Sequence, residues 1–153
     1  MEDKKAIDVL NKLIEINNDR IEGYETASKE TDETELKTLF TQLAQTSQEC
    51  NGELIDEVSQ LGGDPVEGTK TSGKFFRAWM DVKSALTGKD RKAILNSCEY
   101  GEDVAVNTYK KVLENNTDDL TEDQLAMVEG QHDLIKADHD MVKSLRDSLV
   151  EAN

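Results

Sequence analysis

At 153 residues the chain has the size of one domain and is long enough to bury an apolar core without disulfide or metal support. Its net charge of −15, from 33 acidic against 18 basic residues, argues against nucleic acid and anionic membrane as partners. The single Pro, the nine Gly and the lack of any sustained apolar–polar alternation point to an all-α protein.

The start, MEDKKAIDVLNKL, lacks the apolar block of a signal peptide, and no run of about 18 uncharged apolar residues occurs, so a cytoplasmic location is expected. A first helix is predicted over 3–31, with Ile7, Leu10, Leu13, Ile14, Ile21, Tyr24 and Ala27 on one face and Asn17 interrupting it. A second, over 34–61, turns Leu36, Leu39, Phe40, Leu43, Ser47, Cys50, Leu54 and Val58 inward. It stops at Gly62-Gly63-Asp64-Pro65, where glycine after the last turn and then proline cannot continue a helix. The short link between the two makes them antiparallel neighbours.

The next segment is polar and then becomes amphipathic at Phe75, Phe76, Trp79, Val82 and Leu86, which predicts a short helix over 74–86. It is also basic for this chain: Lys70, Lys74, Arg77, Lys83, Lys89, Arg91 and Lys92 face only Asp81 and Asp90. A strap that neutralises an acidic bundle explains that bias, and docking of an acidic partner is the alternative. A helix over 90–114 then buries Ile94, Cys98, Gly101, Ala105, Tyr109 and Val112. The last, over 121–150, opens on Thr121 with Gln124 at the capping-box position. Its predicted seam is Leu125, Val128, His132, Ile135, His139, Val142 and Leu149, interrupted by Arg146. Cys50 and Cys98 lie in separate segments without CxxC spacing and read as reduced, buried thiols.

Two helical hairpins joined by a long connection give an up-down arrangement with one crossover. Several segments carry a more specific likeness: Gly23-Tyr24, the LGGDP break, WMDVK in the connection, and Cys98-Glu99-Tyr100-Gly101-Glu102-Asp103. In these the chain resembles an uncharacterised bacterial family of ferritin-like four-helix-bundle domains of unknown function, distantly similar to ferritin and rubrerythrin. The resemblance covers nearly the whole chain and implies a ferritin-like four-helix bundle with a short fifth helix in its crossover. It implies no activity.

Ferritin-like di-iron centres take a Glu from each of two helices and Glu-x-x-His from each of the others. Here the last helix offers Glu129-x-x-His132, the third long helix Glu99-x-x-Glu102, and the first Glu22-x-x-Glu25. In the second, Glu49-Cys50-Asn51-Gly52 puts glycine where the imidazole belongs. At 100° per residue Glu22, Glu49 and Glu99 point outward, whereas Glu25, Glu53, Glu102 and Glu129 reach the edge of the inward stripes. The expected metal residues are therefore Glu102, Glu129 and His132, with Glu25 or Glu53, in a degenerate site for iron or zinc. His139, about 10 Å further along, is expected to bond a buried polar group such as Tyr24, Asn17 or Tyr109.

No phosphate loop, H-E-x-x-H or nucleophile elbow is present, and enzymatic activity is not expected. The sequence thus reads as a non-catalytic bundle of unassigned role, stress response among the options, that acts by association as a homo-oligomer or with a protein partner. The alternatives are a metal-dependent, di-iron-like oxidoreductase or iron-handling protein, and a self-association scaffold using Phe75, Phe76 and Trp79.

Overall fold

Several helix boundaries have a local chemical cause. The computed structural model describes residues 2–68, 74–88 and 90–152, leaving aside the side chains of 2, 74–76, 78 and 149–152. Helix α1 spans Glu2–Glu30 and α2 spans Thr34–Gln60. Gly62, at φ 82°, takes the left-handed conformation that ends α2, and its N–H and that of Gly63 donate back to Ser59 O and Val58 O at 3.0 Å each. A side chain at Gly63 would meet Ile7 of α1 at 2.8 Å, so the turn also needs its second glycine for close approach.

The irregular stretch that follows α2 is tied back onto α1. Asn11 donates to Asp64 O and accepts from Val66 N at 2.9 Å, and Asn18 donates to Gly68 O at 2.9 Å. Helix α3 then spans Lys74–Gly88, and α4, Arg91–Asn115, is capped by Asp90, whose carboxylate accepts from Ala93 N. After a 3-10 turn at Thr117–Asp119, α5 runs Glu122–Ala152. The capping box is formed as the sequence suggests: Gln124 N donates to Thr121 Oγ1 at 3.1 Å, and Thr121 N donates to Gln124 Oε1 at 2.9 Å.

The described residues contain helices and no strand. Helix α1 packs along α2 and α4 along α5, while α1 also meets α4 and α2 meets α5, so the four long helices close a ring around one core. Its apolar floor comes from Leu10, Leu13 and Ile14, from Leu36, Phe40, Leu43 and Leu54, from Ile94 and Leu95, and from Val128, Ile135 and Val142, all nearly or fully buried. Helix α3 lies against α4 and α1, burying Val82 and packing half-buried Trp79 and Leu86 on the core. Of the aromatic group read as a self-association surface, Trp79 is thus committed to the core, and the side chains of Phe75 and Phe76 lie outside the described residues. No described helix is long and apolar enough to cross a membrane.

The phase of α5 differs from the predicted seam. The buried row is Gln124, Val128, Gln131, Ile135, Asp138 and Val142, and His132 and His139 are half-buried on its flank. Both rows share Val128, Ile135 and Val142, so the apolar residues fit either phase and only the polar ones tell them apart.

Two glycines test the backbone reading. Gly62→Ala should cost about 1 to 2 kcal/mol, because a Cβ disfavours positive φ. Gly52→Ala, within α2 and with open space around it, should stabilise by about 0.5 to 1 kcal/mol. Urea denaturation of both variants checks the pair of signs.

Candidate functional site

On α1 the inward row Leu13, Asn17, Arg20, Tyr24 and Ala27 advances in steps of three and four, and this spacing carries Arg20 into the core with the apolar residues. Its side chain is fully buried. Nε and Nη2 donate to the two oxygens of Glu102 on α4 at 2.9 and 2.6 Å, the forked geometry that suits a guanidinium to a carboxylate. Nη2 also reaches Asp138 Oδ2 of α5 at 3.3 Å, and Nη1 donates to Ser47 Oγ of α2 at 2.5 Å. One guanidinium therefore bonds to each of the other three long helices.

Tyr24 completes the shell around Glu102. Its hydroxyl donates to Oε2 at 2.8 Å, its ring centroid lies 5.7 Å from the Arg20 guanidinium carbon, and the ring stacks on Phe40 with centroids 6.0 Å apart. Burial by itself would lower the pKa of Arg20, but the charge and hydrogen bonds of Glu102 together with Tyr24 and Asp138 outweigh it and hold the guanidinium above its ordinary value. Burial raises Asp138 above the usual carboxyl range, with the Thr46 hydroxyl and the Arg20 charge offsetting part of the effect.

A second chain of hydrogen bonds runs beside the first. Asn17 Nδ2 donates to Leu13 O and to Tyr109 Oη at 2.7 Å; Tyr109 donates to Gln131 Oε1 at 2.8 Å. Gln131 Nε2 donates onward to Cys50 O and Glu53 Oε1 on α2, at 3.2 and 3.1 Å. Burial pushes Cys50 up to about 12 and Cys98 higher still, and raises both Tyr24 and Tyr109, so these thiols and phenols stay protonated.

The metal residues expected from sequence are dispersed. Glu102 is buried and spends its oxygens on Arg20 and Tyr24, while Glu25 is exposed and accepts from Gln48 at 2.7 Å. Glu53 is exposed at the α2 end of the Gln131 chain, Glu129 is exposed, and His132 Nδ1 lies 3.2 Å from Asp133 Oδ1. His139 does not bond Tyr24, Asn17 or Tyr109: its Nε2 lies 2.6 Å from Asp103 Oδ1 and its Nδ1 3.1 Å from Asp140 Oδ1. Among the described residues, the three donors whose ligand atoms lie within 4.8 Å of one another are Glu99, Asp103 and His139. Arg146 Nη1 contacts Glu99 in the same patch.

A paired-metal centre does not fit this interior. Such a centre needs four carboxylates and two imidazoles converging, and here a fixed cation stands between the carboxylates of Glu102 and Asp138, with both histidines on the flank of α5. Sequence reasoning passed over Arg20, Gln131 and Asp138. Helical phase was the available signal for Arg20, which sits three residues after Asn17 and four before Tyr24 on one face. Arginine is so rarely buried that its presence on that face reads as a gap.

Two measurements bear on this network. Arg20→Met should cost about 3 to 5 kcal/mol, because Glu102 is left buried without its counter-charge, and adding Glu102→Gln to Arg20→Met should restore a large part of it; urea denaturation of single and double variants checks this. Cys50 and Cys98 should react with an aromatic disulfide reagent at pH 8 only as fast as the chain opens, with rates rising steeply in sub-denaturing urea.

The family described as a domain of unknown function, DUF2383, matches residues 5–115. The match takes in Arg20, Ser47 and Glu102 and ends with α4, so Gln131 and Asp138 on α5 lie beyond it. No curated protein matches the chain.

Proposed function

We propose, from the premise that this chain belongs to the DUF2383 family of domains of unknown function, that it is a ferritin-like four-helix bundle whose interior metal position is filled by its own guanidinium, and that it acts by association rather than catalysis. The observation that carries this reading is the fully buried Arg20, forked onto Glu102 and within reach of Asp138. A divalent ion at the same place would compete for the oxygens Arg20 holds and would stand beside a permanent positive charge. The network satisfies the charge without a metal and fixes the rotation of the helices, a role well attested for buried polar groups in helical assemblies.

The outer surface supports association. Ile55 of α2 and Leu134 of α5, and Met80 of α3 and Tyr100 of α4, are large apolar side chains 39 to 51 % exposed on pairs of helices that touch. The rival reading, an iron-dependent oxidoreductase, would route iron through the residues expected from sequence.

Aerobic iron(II) oxidation and bound iron should be the same in wild type and in Glu129→Ala/His132→Ala; a fall in either overturns the non-catalytic reading. Sedimentation equilibrium over a wide concentration range should show mass rising with concentration, and an unchanging monomer overturns association.

A further inference from the structure

Resting on the association proposed above, we infer that copies of this chain join head to tail, the basic face of α3 and the start of α4 in one copy seating on the acidic groove between α2 and α5 of the next. Residues 70–92 carry seven basic and two acidic residues in a chain whose net charge is −15. This side does little to neutralise its own bundle. Of its described cations, only Arg91 finds a carboxylate, Glu35 at 2.7 Å. Arg77, Lys83 and Lys92 are exposed, and no carboxylate of the described residues stands within ion-pair reach of them. Met80 of α3 and Tyr100 of α4, 48 and 51 % exposed, add apolar area on the same pair of helices.

The complementary surface lies on the other side of α5 from the histidines. His132 and His139, one position after the inward row of α5, turn toward α4, where His139 meets Asp103. The row one position before, Met127, Leu134 and Met141 with Gly130 and Ala137 between them, therefore turns the other way, toward α2. Leu134 is 48 % exposed and both methionines are half-buried, so this second apolar row is left open. Its walls are acidic. Asp133 stands beside Leu134 with a side chain 80 % exposed, and Glu53 of α2, which accepts from Gln131, is exposed with Glu49 one turn earlier. Helix α2 as a whole has five acidic residues and one basic.

The two surfaces match in length as well as in sign. Helix α3 has 15 residues, and Met127 to Met141 spans the same number, about 21 Å. Two basic faces repel, as do two acidic ones, so contact between like surfaces is disfavoured and the junction joins unlike ones. Such a junction leaves one surface of each kind free at the ends of an open assembly, which lengthens as a filament or closes into a ring. The positive side of each copy then offsets the negative side of its neighbour.

The test is sedimentation equilibrium of the full-length protein with charges reversed on either side. Arg77→Glu/Lys83→Glu and Glu49→Lys/Asp133→Lys should each weaken self-association by about 10-fold or more, as should about 1 M salt in the wild type. All four positions are exposed, so folding is spared. The second pair brings the net charge nearer zero, so a general loss of repulsion would strengthen association where loss of the docking contact weakens it. An equimolar mixture of the two variants should associate as the wild type does, because one supplies the intact acidic groove and the other the intact basic face. Association that survives either pair of reversals, or a mixture that stays dissociated, overturns head-to-tail docking while leaving association itself standing. A wild type that stays monomeric at every concentration overturns both.

Discussion

A guanidinium cannot shed its proton inside a protein, so once Arg20 is folded inward everything near it must answer a fixed positive charge. Glu102 answers with both oxygens, Asp138 and Ser47 take further donors, and Tyr24 offers a ring face on one side and a hydroxyl to Glu102 on the other. Apolar side chains tolerate a sliding or rotated helix at modest cost, but this cluster does not. Turning any long helix by one residue moves its contribution through 100° and strands a charge or a donor in the core. The pair thus contributes less to net stability than to selecting one arrangement.

Around that charged centre the buried thiols and phenols are held protonated. The Asn17, Tyr109 and Gln131 chain joins the same four helices through neutral groups, and both thiols are held as thiols by burial. The acidity that dominates the composition is displaced outward, where water screens it. Among the described residues, Glu99 and Asp103 meet the imidazole of His139 on the α4–α5 flank, where Arg146 contacts Glu99.

Much of this architecture is legible in the sequence because apolar periodicity is a strong signal over long helices. Leu10, Leu13 and Ile14, Leu36 to Leu54, and Ile94 to Val112 are buried on the faces their spacing defines, and the Gly62 stop and Thr121 box form as written. The site was much less legible. On α5, Val128, Ile135 and Val142 repeat every seven residues and are common to two adjacent stripes, so histidine, the more familiar ligand, drew attention from Gln131 and Asp138 one position earlier. On α1, residue-type expectation overrode phase at Arg20. Glu102, placed by sequence at the edge of an inward stripe, is fully buried, and the chemistry it serves depends on a partner 82 residues away that no local pattern indicates.

That long separation shapes how the chain comes together. Emerging from the ribosome, α1 and α2 can zip along their apolar faces early, but the arginine between them stays hydrated until α4 has been synthesised, and its second carboxylate arrives 118 residues after it. The last helix therefore acts as a latch: it closes over a half-neutralised cleft and seals the charge from water, converting a loose helical assembly into one with a single fixed interior.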